Sequence, residues 1–327
     1  VDTFLQQVIN GLTAGSVYAI VALGYTMVYG IIQLINFAHG EVVMIGAMVA
    51  FTVINALAPS GLPAIAVVLI GTGCALPVCM LVGYSMERLA YRPLRGAPRL
   101  APLITAIGVS IILQHLALMI WSRNVLAFPQ IISSRTFFIG EAAITSVQIT
   151  ILAICVALMA ALALLVYRTR LGTAMRATAQ NPQVAGLMGI DVNRVIAATF
   201  VIGAALGAVA GVLFGTYYGL AQYTMGSILG LKAFSAAVLG GIGNIPGAML
   251  GGIVLGLVEA LGAGYIGDLT DLCQYGFLAR AIDDCEGGGH FILFGSNYQD
   301  VFAFIVLILV LVFRPQGLLG ERVGDRA

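Results

Sequence analysis

Four ionisable side chains stand in or beside long apolar runs: His39, Glu41, Lys232 and Glu259. Charge is expensive in such surroundings, so its presence points to pairing or to a path for a polar solute. Lys232, the only lysine, can pair with Glu259 across two neighbouring apolar segments or reach outward to a polar surface. Asn36 to Glu41 reads either as an exposed turn after the first apolar run or as part of a route; both readings stay open. Uncharged polar residues also fall into patterns. Gln6, Asn10 and Thr13 share one helical face, and Ser110 and Gln114 share another, as expected of hydrogen bonds between helices.

Several other chemistries lack their residues. The five cysteines form no CxxC and no His/Cys set at metal spacing, so no metal site is expected. A phosphate-binding loop needs Lys and Ser/Thr directly after its glycines. The stretch Gly240-Gly241-Ile242-Gly243-Asn244-Ile245-Pro246-Gly247 has neither, so this chain is expected to bind no nucleotide. Tyr265-Ile266-Gly267-Asp268 approaches the Gly-x-Gly-Asp pattern of intramembrane aspartyl proteases, but lacks its first glycine and a partner aspartate on a second span. No serine has a nucleophile-elbow setting, and no catalytic residue is assigned. Cys74, Cys79 and Cys155 lie within apolar runs and read as small hydrophobes. Cys273 and Cys285 share a polar loop and can pair only if it faces an oxidising compartment.

The elements that position these residues follow from composition. Of 327 residues, 60% are hydrophobic and 9% charged, against about 25% charged in a soluble domain. Runs of roughly 20 apolar residues, each able to cross about 30 Å of hydrocarbon, recur along the chain. The expected fold is an all-α integral membrane protein, one transmembrane domain over 1–327 with about eight to nine transmembrane helices. Spans are predicted near 4–29, 42–58, 64–86, 101–121, 147–167, 195–219, 226–242, 247–266 and 299–313. Neither a basic region nor a small-residue cleavage pattern stands before the first apolar run, so it reads as a retained span. The net charge of +1 gives no reason to expect a nucleic-acid partner.

Arginines sort the connections. Arg88, Arg92, Arg95 and Arg99 fall in one segment, Arg168, Arg170, Arg176 and Arg194 in a second, and Arg314, Arg322 and Arg326 in the tail. With nine spans all three lie on one side, which the positive-inside rule makes cytoplasmic. A re-entrant hairpin at 226–242 would put the tail outside, so two short spans joined by the glycine-rich stretch are preferred. The loops at 122–146 and about 267–299 are then external. Gly203, Gly207, Gly211, Gly215 and Gly219 recur every fourth residue, a smooth ridge that lets helix backbones approach.

The cytoplasmic loop at about 168–194 contains Asn181 before Pro182, a helix-start signal. A short helix from Pro182 to about Met188, ended by Gly189, suits docking on a soluble partner. An ordered loop on the membrane surface is the plainer alternative.

Four motifs in order then resemble one family. Gly15 to Gly30, followed by Ile35-Asn36-Phe37-Ala38-His39-Gly40-Glu41, resembles the opening signature of the branched-chain amino acid ABC permeases of the LivH type. Glu87-Arg88-Leu89-Ala90-Tyr91-Arg92-Pro93-Leu94-Arg95 resembles their first basic loop, Arg170 to Asp191 their coupling loop, and Lys232 to Ala248 their glycine-rich signature. The loop from Gly267 to Asp300 is longer than that pattern leads one to expect.

The resemblance implies a non-catalytic permease subunit of an ABC importer in the bacterial inner membrane, with a cytoplasmic C-terminus. Its partners would be a second, related but non-identical permease subunit, two ATP-binding subunits carrying ATP and Mg, a periplasmic solute-binding protein, and membrane lipid. Arg176, Gln180, Asn181, Pro182, Gly186, Gly189 and Ile190 would engage an ATPase, with Glu87, Arg88 and Arg92 as further cytoplasmic contacts. Tyr18, Asn36, His39, Glu41, Tyr217 and Tyr218 are candidates for the substrate route, otherwise free of fixed charge. Branched-chain amino acids are the implied cargo; the same architecture also serves urea and short amides. An ion-coupled secondary transporter is the competing class, but no matched pair of interrupted helices is visible.

Overall fold

The computed structural model describes residues 2–98, 100–131, 134–140, 142–269 and 298–320. Cys273, Cys285 and most of the 267–299 loop lie outside them. Nine apolar helices match the predicted spans to within a few residues: α1 (Asp2–Ile32), α2 (His39–Leu57), α3 (Ala64–Ser85), α4 (Leu100–Ile120), α5 (Ser146–Arg168), α8 (Val192–Tyr218), α9 (Met225–Gly240), α10 (Ile245–Leu269) and α11 (Gln299–Phe313). Among the described residues, seven of them are long and apolar enough to cross a membrane; α9 and α11 are shorter.

Between α5 and α8 stand two polar helices, α6 (Arg170–Gln180) and α7 (Pro182–Leu187). The expected helix after Asn181 is present, whereas α6 goes beyond the sequence reading. Its start is set by Thr169, whose Oγ1 accepts from Gly172 N at 3.0 Å. Four short strands also depart from a purely helical expectation. β1 (Leu126–Ala127) pairs with β4 (Leu220–Ala221), and β2 (Thr136–Ile139) with β3 (Ala142–Thr145), both antiparallel.

Small residues hold the centre together. α1 and α10 run antiparallel with Gly11 against Gly256 and Leu257, and Gly15 against Gly252 and Ile253. A Cβ at Gly15 would lie 2.8 Å from Gly252 O, closer than real Cβ atoms come. On α8, Gly203 faces Gly24, Gly207 faces Val43, Gly211 presses on the Val43 carbonyl, and Gly215 seats the Phe128 ring. The ridge is therefore a packing device. Gly219 departs from it: it caps α8 in the left-handed region, φ 69°.

The glycine-rich stretch forms the tight α9–α10 turn, with positive φ at Gly241 and Gly243 and with Gly240 packed on the Gly247 carbonyl. The tail returns to this turn, where Leu318 N donates to Leu239 O and Leu319 N to Gly240 O. Gly243 faces Gly30, and Gly243, Met175 and Arg176 line a common cavity. Arg95 in turn donates to Asn193 Oδ1 at the start of α8. The three arginine-bearing segments thus gather at one end of the bundle.

The chain turns back into the bundle between α1 and α2, and α9 is short. After α1 ends at Ile32 the chain runs back without helix over 33–38, so that His39, opening α2, abuts Gly24 in the body of α1. α9 in turn starts beside Gly40 and Glu41. Its 16 residues make about 24 Å, short of the ~30 Å hydrocarbon core.

Candidate functional site: a buried charge cluster beside an aromatic cleft

Lys232 on α9 lies 2.7 Å from Glu259 Oε1 on α10 and 2.7 Å from Asp300 Oδ1 in the first turn of α11. Its ammonium also donates to Tyr18 OH on α1 at 3.4 Å and stands 5.5 Å from that ring's centroid. Tyr18 OH donates to Glu259 Oε1 at 3.3 Å and lies 3.5 Å from Tyr218 OH, at the end of α8. Four helices therefore meet at one ammonium, and α8 joins them through Tyr218. Of the two readings left open for Lys232, pairing prevails over reaching outward: Lys232 is 8% and Glu259 5% exposed.

Burying ions is tolerable only when they are paired and hydrogen-bonded. Lys232 donates to Glu259 Oε1 and Tyr18 OH, whereas Glu259 Oε2 and Asp300 Oδ1, the latter at ion-pair distance from the ammonium, are buried with no hydrogen-bond partner among the described residues. Asp300 was not singled out from sequence. It opens the last helix after a polar loop, where an acidic residue ordinarily reads as a solvated helix start.

Beside the cluster is a half-open cleft of about 160 Å³, far above the roughly 10–15 Å³ that admits one water. Tyr18, Phe214 and Tyr218 form aromatic walls, Met225, Ile228 and Leu229 an apolar side, and Gln222, Thr224 and Lys232 the polar points. Tyr217 packs edge-on against Tyr218, ring centroids 4.9 Å apart, at the margin. Tyr18, Tyr217 and Tyr218 are thus brought together. The cleft is not free of fixed charge, because Lys232 lines it.

Asn36, His39 and Glu41 lie elsewhere, each almost fully buried, so the exposed-turn reading of this segment does not hold. Asn36 Oδ1 accepts from Tyr91 OH at 2.8 Å. The His39 ring fills the space left by Gly24 and stands edge-on to Tyr25, centroids 5.0 Å apart. Glu41, 1% exposed, accepts from Ser110 Oγ at 3.2 Å and sets its other oxygen against Gly226, in the first turn of α9. Thr224 gives that helix no side-chain cap, and Glu41 Oε2, beside that positive end, has no hydrogen-bond partner among the described residues. Of the other polar residues, Asn10 and Gln114 bond between helices, Gln148 donating to Asn10 at 3.2 Å and Gln114 to Ser227 at 3.2 Å, whereas Gln6 donates to Asn10 and Thr13 to the Ile9 carbonyl within α1.

At the basic end, Asn181 Oδ1 accepts from Gln183 N and Val184 N, both at 3.1 Å, and fixes the turn between α6 and α7. Gly189 ends the segment at φ 86°. α6 turns Gly172, Met175 and Thr178 inward, and Arg176 donates to the Val166 carbonyl at 2.5 Å. Leu187 and Met188 project outward, 87% and 79% exposed, with Gln180, Pro182, Gly186 and Gly189 also on the surface and Ile190 half-buried. Arg88 and Arg92 are exposed, whereas Glu87 is buried in an ion pair with Arg95. Burial pulls the Arg95 pKa below its ordinary value, and the Glu87 charge opposes that shift.

These features define a multi-pass helical membrane protein that holds a buried charge cluster beside an aromatic cleft. The chain belongs to the family of branched-chain amino acid transport system permease components, whose model matches residues 7–311. It is 47% identical over 324 residues to the high-affinity branched-chain amino acid transport system permease protein BraD of Pseudomonas aeruginosa, covering 97% of this chain and 96% of that one. It is 44% identical over 326 residues to the permease protein LivH of Escherichia coli, covering 97% and 96%. A more distant relative is the probable permease LivH of Methanocaldococcus jannaschii, 27% identical over 315 residues, 92% of this chain and 88% of that one. No solved structure matches significantly. The chain is accordingly a permease component of a transport system and not itself a catalyst.

Proposed function

We propose that this chain is a membrane-embedded subunit of an ABC importer that passes branched-chain amino acids across the bacterial inner membrane. The reading is carried by likeness, along almost the whole chain, to permeases of branched-chain amino acid transport. The chain pairs with a second permease subunit, receives solute from a periplasmic binding protein, and draws its energy from two ATP-binding partners. ATP and Mg belong to those partners.

The α6–α7 hairpin suits the role of coupling element. A capped and internally braced unit transmits displacement without absorbing it, and Leu187 and Met188 offer an apolar knob at the basic end. With the basic end in the cytoplasm the C-terminus lies there too. The cleft with its aromatic walls accepts an apolar side chain, and its limited set of polar groups allows release as well as entry. In this reading Tyr18, Tyr217 and Tyr218 line the route, while Asn36, His39 and Glu41 shape it from behind by fixing the starts of α2 and α9.

Replacing Leu187 and Met188 together by aspartate tests the coupling role. ATP-binding subunits are expected to co-purify with the unaltered chain and to be lost from the variant, while the variant still inserts and resists heat as before. Retention of those subunits by the variant would remove the hairpin from the interface.

A further inference from the structure

The charge cluster is unbalanced: two carboxylates, Glu259 and Asp300, share the single ammonium of Lys232. With ordinary ionisation it carries one excess negative charge, and Glu259 Oε2, buried and 5% exposed, has no hydrogen-bond partner among the described residues. A site meant only to tie helices together is best served by a neutral pair, since an unpaired charge inside a membrane protein is costly. The cluster meets an open cleft with aromatic and aliphatic walls through Tyr18 and Lys232, directly in front of the two carboxylates that hold that ammonium, and Asp300, its side chain 43% exposed, is the half-open member of the cluster. Such a field repels a lone carboxylate and leaves a neutral amide indifferent. It attracts a primary ammonium.

The geometry points to Asp300 and Glu259 as the recognition point for the α-ammonium of the transported solute, with Lys232 as a built-in surrogate when the route is empty. The solute's side chain then lies along Tyr18, Phe214 and Tyr218. In passage its ammonium takes over an acceptor from Lys232, and Lys232 reclaims that acceptor on release, so neither state leaves both carboxylates bare. The exchange involves hydrogen bonds and ion pairs only. It deepens the amino-acid reading above, on which it rests, and selects a zwitterion over urea or an amide at a point beyond the binding protein.

Asp300→Asn isolates the idea, because it removes the excess charge and leaves the buried Lys232–Glu259 pair intact. The assembled transporter, with its ATP-binding subunits and solute-binding protein in proteoliposomes, is assayed in parallel for labelled leucine uptake and for binding-protein-stimulated ATP hydrolysis. Uptake per ATP hydrolysed is expected to fall at least about tenfold in Asp300→Asn, as when a charged partner is lost at a recognition site. Asp300→Glu, which restores the carboxylate, is expected to recover most of it. Full coupling in Asp300→Asn, or a glutamate variant as impaired as the asparagine one, would overturn the proposal. Failure of the unaltered chain to take up leucine would instead strike the amino-acid reading itself.

Discussion

Removing Lys232 by Lys232→Met is predicted to be the most damaging single change in the charge cluster. Its ammonium is the counter-ion of two carboxylates at 2.7 Å each, one of them on the almost fully buried Glu259. Breaking a buried pair by deleting one partner costs about 3–5 kcal/mol. Glu259→Gln should cost less, about 1–3 kcal/mol, because Lys232 keeps Asp300 and the amide oxygen can still accept. Asp300→Asn touches a half-exposed partner, and such pairs contribute about 0–1 kcal/mol. Lys232→Met with Glu259→Gln removes both buried charges and should be more stable than Lys232→Met alone. The assay is the heat resistance of the detergent-solubilised protein, read as the fraction still monodisperse, which ranks variants even where unfolding is irreversible. The expected order of loss is Lys232→Met, then the double variant or Glu259→Gln, then Asp300→Asn. A Lys232→Met protein as resistant as the unaltered chain, or a double variant weaker than Lys232→Met, would refute the reasoning.

Three further outcomes follow from particular contacts. Gly15→Leu is expected to abolish monodisperse protein, because even a Cβ would lie 2.8 Å from the Gly252 carbonyl; Ala64→Leu, at the half-exposed start of α3, serves as the control that should stay monodisperse. Asn181→Ala removes the acceptor for two backbone amides and should cost the hairpin about 0.5–2 kcal/mol, visible as faster amide exchange at Gln183 and Val184 with the transmembrane helices unaffected. Glu41→Ala, leaving Ser110 and the first turn of α9 without their carboxylate, should speed amide exchange over residues 225–229, whereas equal exchange would show that α9 needs no such cap.

Much of this architecture was legible because each span is a long apolar run bounded by polar residues, and the arginines sort its ends. The α9–α10 pair is instructive. Glycines announced close packing, and the requirement that Arg314 join the other arginines argued for a crossing over a hairpin. What sequence could not supply was register between helices. Lys232 facing Glu259 and Asp300 depends on how α9, α10 and α11 slide past one another, which no local pattern encodes. His39 was ambiguous for a related reason: a six-residue break fits an exit from the membrane and a return into it equally well, and only Gly24 beneath the ring decides. The α6 helix was passed over because Gly172, Thr173 and Thr178 lower the helix propensity of a short polar stretch that reads as loop. The β1–β4 pairing joins two residues to two others almost a hundred positions away, too short a match for periodicity to register.

The measurement that bears most directly on the account is ATP-driven uptake of labelled leucine into vesicles holding this chain, its ATP-binding and permease partners and the solute-binding protein. Its control replaces Gln180 to Gly189 by a Gly/Ser linker of equal length. Uptake that requires ATP and vanishes with the linker, together with ATPase docking, is the predicted result. Uptake by this chain alone, indifferent to ATP and to the linker, would contradict the account and mark the protein as a secondary carrier.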